Sequence, residues 1–306
     1  PFTEATTTPA NEETIDQALQ SEVGTNSTAF DLPEHATEIK PMAVPDVPET
    51  VTIHQNTEDV NPIVLESEDK YTWRHTNTLT TPEPFGFMWE CPDLFQLDGQ
   101  WFLAVSPQGI ECQNVYGCGW FAIHGDWRGE YALSEFHELD AGFDYYAPQS
   151  FVDGNGCRIQ IGWMGMPDEP TYGNAPTLVA GWQHCMTVPR ELTAGDDGVV
   201  LQQPAREIER HYASVRVGEG SLEVAGDTCF DVVVDGVDGA FTATVDDELK
   251  LEFVPAEGEL PSRFEMRFTD EGRASAGCGR TVRWEPVDEV RNVRIVGDVS
   301  SVEVFV

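Results

Sequence analysis

From about residue 63 onward, short runs of alternating apolar and polar residues recur and are separated by glycine-rich turns, as in FQLDGQWFLAV, SFVDGNGCRIQIGW and TAGDDGVVLQ. A period of two residues predicts strands with one buried face, and a two-residue Asp-Gly turn predicts a hairpin. Residues 63–200 contain no long segment with a helical period. The pattern therefore predicts an all-β domain.

An internal repeat lies inside this domain. ECPDLFQLDGQWFLAVS (90–106) aligns with YAPQSFVDGNGCRIQIG (146–162) at a constant offset, so that Pro92 matches Pro148. A β unit repeated on this scale suggests the blades of a β-propeller, whose usual periods are about 40–50 residues. Two hairpins that resemble each other by chance are the alternative. We predict a partial propeller over residues 63–203.

The rest of the chain predicts a linker helix and a second β domain. PAREIERHY begins with Pro204 and carries charged residues on one face, which predicts a helix within 204–213. Several short strand-like runs follow, among them DVVVDG, LKLEFV, RFEMRF and VRIV. They predict an antiparallel β-sandwich over 214–306 that is truncated at its C-terminal end, because VEVFV ends in mid-alternation.

Residues 1–62 have a different composition. They are rich in Thr, Glu, Pro and Asn, and Phe2 and Phe30 are their only aromatic residues. Such a segment cannot bury enough apolar surface to offset the entropy lost on ordering. We expect it to be mostly disordered or unrelated to the β domains, with a short helix in NEETIDQALQS.

The charge balance and the cysteines narrow the function classes. With 17 basic and 54 acidic residues the net charge is −37, which disfavours nucleic acid and anionic membranes as partners. Solubility in the cytoplasm and a halophile-like surface both remain as explanations. Seven scattered cysteines without a Cys-x-x-Cys pair suggest a reducing compartment and no metal site. With no signal-like segment at the start, we expect a cytoplasmic protein whose native N-terminus is missing.

Glu90 is the first candidate for chemistry, because it stands between Trp89 and Cys91 at the head of a predicted hairpin. On the repeat alignment Glu90 and Tyr146 begin the inner strands of two blades, and these strands converge on the channel of a propeller. A carboxyl group packed by Trp89 and Cys91 would be partly desolvated, which favours the protonated form that a general acid needs. A solvated strand edge is the alternative for Glu90.

Four motifs in order, FMWECPDLF, AGFDYYAPQSF, IGWMGMP and GWQHCMTVPRELT, resemble glycoside hydrolase family 32, the invertases, sucrose-6-phosphate hydrolases and fructanases. The resemblance covers about residues 71–210, with a weaker continuation to the end of the chain. It implies a five-bladed β-propeller followed by a β-sandwich. It also implies retaining hydrolysis of β-fructofuranosides by two carboxyl groups, with a small carbohydrate as partner and no metal or organic cofactor.

The resemblance also implies roles for single residues. Glu90 matches the general acid/base of the E-C-P-D motif, and Cys91 matches the neighbour that tunes this acid. Residues that would line the sugar pocket are Tyr146, Trp163 and, with a turn role as its alternative, Asp144. For Gln149, which lies close by, a strand hydrogen-bonding role is an equal alternative. Trp182 and Arg190 in the last motif are expected to be structural.

The sequence departs from the family pattern in one respect. The family's nucleophile lies in N-D-P-N-G and its transition-state-stabilising aspartate in R-D-P, and this chain contains neither string. A retaining site needs two carboxyl groups about 5–5.5 Å apart. We therefore expect a fragment that lacks the N-terminal blades and is inactive alone.

Two other hypotheses about the function stay open. The chain is an inactive carbohydrate-binding fragment, or it is an acidic β-rich interaction protein. Sucrose, sucrose 6-phosphate and fructans are all compatible substrates, and the oligomeric state is open. Arg74 and His75 are candidates for binding a 6-phosphate, with exposed charges at a strand end as the commoner explanation.

Overall fold

The structure is a computed structural model that describes residues 61–167, 175–195, 198–218, 229–270 and 281–306. The predicted disorder of residues 1–62 and the helix in 11–21 fall almost wholly outside these ranges and stay predictions. The described residues are nearly all β, which confirms the predicted fold class of a partial β-propeller followed by a β-sandwich. No helix in these ranges is long and apolar enough to cross a membrane.

The first propeller elements are a hairpin and a five-stranded sheet. Strands β1 and β2 pair antiparallel, and the sheet has the order β3-β4-β5-β6, with β7 also paired to β5. The predicted turn at Asp98-Gly99 joins β3 to β4, with φ values of 46° and 86°. Both residues therefore occupy the left-handed region that a two-residue hairpin turn needs. The strand bounds are β1 Ile63–Glu66, β2 Arg74–Thr78, β3 Met88–Leu97, β4 Gln100–Gln108, β5 Gly119–Gly125, β6 Tyr131–Leu133 and β7 His137–Glu138.

The second blade is the sheet β8-β9-β11-β12, with β10 also paired to β9. A short helix, α1 (Ala175–Val179), precedes β10. The strand bounds are β8 Tyr146–Val152, β9 Arg158–Met164, β10 Cys185–Met186, β11 Arg190–Ala194 and β12 Val200–Pro204.

The run Phe102–Val105 in β4 shows why the blades stack. Its side chains are buried on both faces of the sheet, because Phe102 and Ala104 face Leu192 of the second blade while Leu103 and Val105 face Val64 of the first hairpin. A sheet covered on both faces needs apolar residues at successive positions rather than at alternating ones. We call the five-stranded sheet of β3 to β7 the first blade. Each of its faces therefore packs against a neighbouring sheet.

The predicted linker helix is shorter and tighter than expected. Pro204 is the last residue of β12, and a 3₁₀ helix follows at Arg206–His211. Its first residue is preceded by Ala205, whose side chain cannot cap it, and none of its residues is buried. A segment without a buried apolar face gains little from a longer α-helix, since tertiary packing supplies most helix stability.

The C-terminal sheets form the sandwich around one apolar core. One sheet has the order β13-β18-β19 and the other β14-β15-β16-β17. Phe264, Met266 and Phe268 of β16 lie in or against this core, as predicted from RFEMRF. The strand bounds are β13 Cys229–Asp235, β14 Thr242–Val245, β15 Leu249–Val254, β16 Arg263–Phe268, β17 Val282–Pro286, β18 Asn292–Asp298 and β19 Ser301–Phe305.

Candidate functional site

Glu90 lies near the start of β3 and receives two hydrogen bonds on one oxygen. The hydroxyl of Tyr146 donates to Glu90 Oε2 at 2.7 Å, and the Gln108 side-chain amide donates to the same oxygen at 3.0 Å. Glu90 is partly buried, and both donors are buried, with 3% of Tyr146 and 7% of Gln108 exposed. The two positions that the repeat aligned, Glu90 and Tyr146, are thus in direct contact across the two blades.

The repeat also appears in the backbone. The register of β3 against β4 shifts between Glu90 and Asp93, and that of β8 against β9 shifts between Tyr146 and Gln149. The residue before each proline has a positive φ, 46° at Cys91 and 50° at Ala147. A proline has no N–H for the ladder, so it favours a bulge, and bulges redirect side chains next to functional sites.

Ser106 of β4 holds Tyr146 in place. Its hydroxyl accepts a hydrogen bond from the Ala147 amide at 3.1 Å, and its carbonyl lies 3.3 Å from the Tyr146 hydroxyl. Ser106 is completely buried and pairs with Glu90 in the β3–β4 register. Gln108 lies two residues further along β4 and therefore on the same face. The first blade thus supplies both the acid and the groups that hold its partner.

Burial and the neighbouring Glu90 determine the protonation state of the Tyr146 hydroxyl. Burial raises the pKa of Tyr146 above its ordinary value, and the hydrogen bond to Glu90 and the charge of Glu90 raise the pKa further. The Tyr146 hydroxyl therefore stays protonated near neutral pH and remains a donor toward Glu90.

The neighbours expected to desolvate Glu90 are placed differently from the prediction. Trp89 is buried in the core on the other side of β3, where it stacks on Phe121 at 5.2 Å and donates its indole N–H to the Phe85 carbonyl at 2.6 Å. Adjacent strand residues point to opposite faces, so the Trp89 side chain does not shield the Glu90 carboxyl group from water. Cys91 is exposed as a whole residue, and burial of its thiol and then the charge of Glu90 raise its pKa. Its role as a tuning neighbour stays a prediction.

Trp163 of β9 lies beside Tyr146. The two rings are 6.5 Å apart in an edge-to-face arrangement, and the His184 ring is 5.0 Å from Trp163 on another side. A Cβ at Gly165 would lie 2.3 Å from the Trp163 indole, so the glycine of G-W-M-G lets the ring fold over the chain. Trp163 is partly buried and adjoins the acid's partner, while its contact with a sugar stays a prediction.

Asp144 and Gln149, two further predicted positions, both lie among the described residues. Asp144 is partly buried in the bend before β8, and its role at the sugar pocket stays a prediction. The Gln149 side chain donates to the carbonyls of Cys91 at 3.0 Å and Pro148 at 2.8 Å, which is the strand hydrogen-bonding role. Gln149 therefore ties the two bulges together.

Arg74 and His75, the candidates for binding a 6-phosphate, both contact neighbouring protein groups. Arg74 lies in β2 with its guanidinium 3.0 Å from Glu66, and its side chain is mostly exposed, as expected for a charge pair on a strand. His75 contacts the Thr78 hydroxyl at 3.1 Å. Within the described ranges, no group of three or more His, Cys, Asp or Glu side chains could hold a metal ion.

The sequence alone did not identify Gln108 as a hydrogen-bond donor to Glu90, nor Asp93 as a carboxyl group whose pKa is raised by burial. Gln108 ends a strand of ordinary composition, and only its distance of eighteen residues from Glu90 across one hairpin could have suggested the contact. Asp93 of E-C-P-D lies between the blades, where burial raises its pKa while bonds from Ser150 and the charge of Arg158 lower it. Asp93 thus belongs to the contact between the blades. It is not part of the Glu90 cluster, which consists of Glu90, Tyr146 and Gln108.

Comparisons with known proteins match this chain to one family. The model of the glycosyl hydrolases family 32 N-terminal domain matches residues 49–204. A sucrose-6-phosphate hydrolase of Bacillus subtilis (strain 168) is 32% identical over 264 residues, which cover 80% of this chain and 53% of that protein. One from Staphylococcus xylosus is 41% identical over 157 residues, covering 47% of this chain and 30% of that protein.

A solved structure agrees in fold. The sucrose-6-phosphate hydrolase from Lactobacillus gasseri matches with a TM-score of 0.68 at 22% identity, over 82% of this chain and 55% of that one. The chain spans about half the length of the first curated relative and of this structure.

Proposed function

Because the chain belongs to glycosyl hydrolases family 32, we propose that the protein hydrolyses β-fructofuranosidic bonds with retention, using Glu90 as general acid/base. The observation that carries this role is the Glu90 carboxyl group itself, partly buried at a bulge and held by Tyr146 and Gln108. A general acid/base must be held in one place to deliver a proton to the leaving oxygen. Its hydrogen bonds come from two different blades, which supports that role.

The mechanism requires a second carboxylate as nucleophile. The 306-residue chain contains neither N-D-P-N-G nor R-D-P, and we assign the nucleophile to sequence outside it. Glu90 would protonate the glycosidic oxygen while the nucleophile attacks the anomeric carbon. The resulting carboxylate would then take a proton from the water that releases fructose. On this basis the 306-residue chain alone has no fructosidase activity and acts at most as a carbohydrate-binding module.

The relatives support a substrate class. The curated relatives named above are sucrose-6-phosphate hydrolases, so sucrose and sucrose 6-phosphate are the first substrates to test, with fructans as the third. Arg74, the candidate for the 6-phosphate, is paired with Glu66, which does not favour the phosphorylated substrate over sucrose.

The test is Glu90→Gln in the full-length gene product, with the 306-residue chain assayed alongside. Removing the acid should lower the rate of sucrose hydrolysis by ~10²–10⁴-fold. The loss should shrink for an aryl fructoside whose leaving group needs no protonation. The exposed Glu130→Gln serves as the control and should leave the rate unchanged.

Sucrose hydrolysis by Glu90→Gln at the wild-type rate would refute the assignment. Turnover by the purified 306-residue chain would show that another carboxylate replaces the missing nucleophile. Binding of fructosides by that chain without turnover, measured by calorimetry, is the expected result.

A further inference from the structure

The two hydrogen bonds to Glu90 end on the same atom. Tyr146 and Gln108 both donate to Oε2, and among the described residues no hydrogen bond to Oε1 is present. The two carboxyl oxygens of Glu90 are therefore in different environments. A carboxyl group with such an asymmetry does not use its oxygens interchangeably.

The donors decide which oxygen can carry a proton. A proton on Oε2 would point at the hydroxyl hydrogen of Tyr146 or at the amide hydrogens of Gln108. The amide nitrogen of Gln108 offers donors only, and the Tyr146 hydroxyl could accept that proton only by turning its own hydrogen toward the Ser106 carbonyl, 3.3 Å away. A proton on Oε1 requires neither change. When Glu90 is protonated, its proton therefore belongs on Oε1.

The same donors stabilise the carboxylate that remains after the proton has left. Hydrogen bonds from donors to an ionised oxygen are stronger than those to a neutral one. Because Tyr146 and Gln108 are buried and lie on strands of two blades, they are preorganised and need no reorientation as the charge forms. Their effect is thus larger in the transition state than in the ground state.

We propose that Gln108 is a positioning residue which, with Tyr146, fixes Oε2 of Glu90 and makes Oε1 the atom that exchanges the proton. In the first step the proton moves from Oε1 to the glycosidic oxygen, whose bond to the anomeric carbon breaks as a second carboxylate attacks that carbon. The bonding electron pair stays on the leaving alcohol. In the second step Oε1 takes a proton from the attacking water. This role rests on the proposed function of Glu90.

The test compares Gln108→Met and Tyr146→Phe with a matched control, Gln160→Met, in the full-length gene product. Gln160 is a completely buried glutamine that contacts the Tyr145 hydroxyl at 2.7 Å rather than Glu90. Gln108→Met removes the donor while keeping side-chain length. We expect kcat on sucrose to fall roughly 10- to 100-fold in both Glu90-partner variants, with KM little changed. Gln160→Met should leave kcat near the wild-type value at a temperature where it is folded.

Two further readouts separate positioning from general destabilisation. The loss in Gln108→Met should shrink on an aryl fructoside whose leaving group needs no protonation, because Gln108 acts through the proton transfer from Glu90. Gln108→Met should also cost nothing further in a Glu90→Gln background, because the two residues act as one unit. Circular dichroism melts confirm that each variant is folded, and Tyr146→Phe provides the test if Gln108→Met does not fold.

The possible results overturn different statements. If Glu90→Gln lowers the rate but Gln108→Met and Tyr146→Phe leave kcat unchanged on both substrates, the positioning role is wrong and the function of Glu90 stands. Additive losses in the double variant would also refute the positioning role. If Glu90→Gln itself has no effect, the proposed function fails first.

Discussion

Arg190 is a single buried residue that connects the propeller to the sandwich. Its guanidinium bonds Asp140 at 2.8 Å and Glu303 of β19 at 2.6 Å. It also lies over the rings of Tyr145 and Phe305, at 4.7 and 5.4 Å. Burial lowers the pKa of Arg190, but Asp140, Tyr145 and Glu303 more than offset that, so its pKa is raised overall. The structural role predicted from the last motif agrees with these contacts.

Arg190→Met should destabilise the chain strongly. The substitution leaves the buried carboxylate of Glu303 and the partly buried carboxylate of Asp140 without the guanidinium, and breaking a buried ion pair typically costs about 3–5 kcal/mol. The matched control is Arg128→Met, since Arg128 pairs with Glu66 at 2.7 Å at the surface and such exposed pairs contribute about 0–1 kcal/mol. Urea unfolding followed by tryptophan fluorescence measures both.

The pH dependence of the Arg190→Met loss identifies its cause. Burial raises the pKa of Glu303 while Arg190 opposes that rise. A carboxyl group with a raised folded-state pKa contributes stability at low pH and loses it as pH rises through that pKa. Without Arg190 this loss grows, so the variant should approach wild-type stability in acid and fall behind toward neutral pH. An equal deficit at all pH values would point to lost packing instead.

At the scale of elements, the paired bulges of β3 and β8 bring Glu90 and Tyr146 together. Each bulge contains a proline, and the residue before that proline has a positive φ, Cys91 in β3 and Ala147 in β8. A non-glycine residue in this region costs about 1–2 kcal/mol. Strain of this kind persists only where the surrounding strands fix it. The geometry of the Glu90 cluster thus depends on backbone strain in two equivalent places.

Ala147→Gly should therefore be neutral or stabilising. Glycine removes the conformational strain at φ 50°, which outweighs the entropy cost of about 0.5–1 kcal/mol for a glycine in a strand. Ala132, the exposed residue of β6, has no such strain to remove, so Ala132→Gly should lose that amount. Thermal melts of the two variants measure the difference. Equal destabilisation of both would show that Ala147 is unstrained.

For the molecule as a whole, the large negative net charge affects both stability and solubility. A net charge of −37 on 306 residues repels itself and destabilises the compact state, although it favours solubility. The buried ion pairs of Arg190 and Arg283 offset only local parts of this field. The folded chain should therefore depend on screening by salt.

Adding NaCl should raise the melting temperature of the chain. Screening shortens the Debye length from about 30 Å at 0.01 M to about 8 Å at 0.15 M salt. A rise that stops near 0.15 M indicates ordinary repulsion, while a rise that continues into the molar range indicates a halophile-like surface. Parallel melts in KCl control for effects of a specific cation. A melting temperature that falls with salt would mean that attractive ion pairs outweigh the repulsion.

The local features of the fold follow from residues that are neighbours along the chain. Alternation and Asp-Gly turns predicted the strands and hairpins because these depend on neighbouring residues. The repeat placed Glu90 and Tyr146 in equivalent positions because the prolines after them impose the same bulge. The linker segment forms a helix inside the predicted range, but only as a 3₁₀ helix at Arg206–His211, since none of its residues is buried.

The tertiary structure alone decided the partners of each functional side chain. Gln108 is one glutamine among several in the sequence, and only the pairing of β3 with β4 brings it to Glu90. The desolvating role expected of Trp89 was wrong, because the pleat turns its side chain into the opposite core. Arg190 and Glu303 are more than a hundred residues apart and meet only when the sandwich packs on the propeller. Contacts between distant segments depend on how sheets stack, and the order of residues along the chain does not encode that arrangement locally.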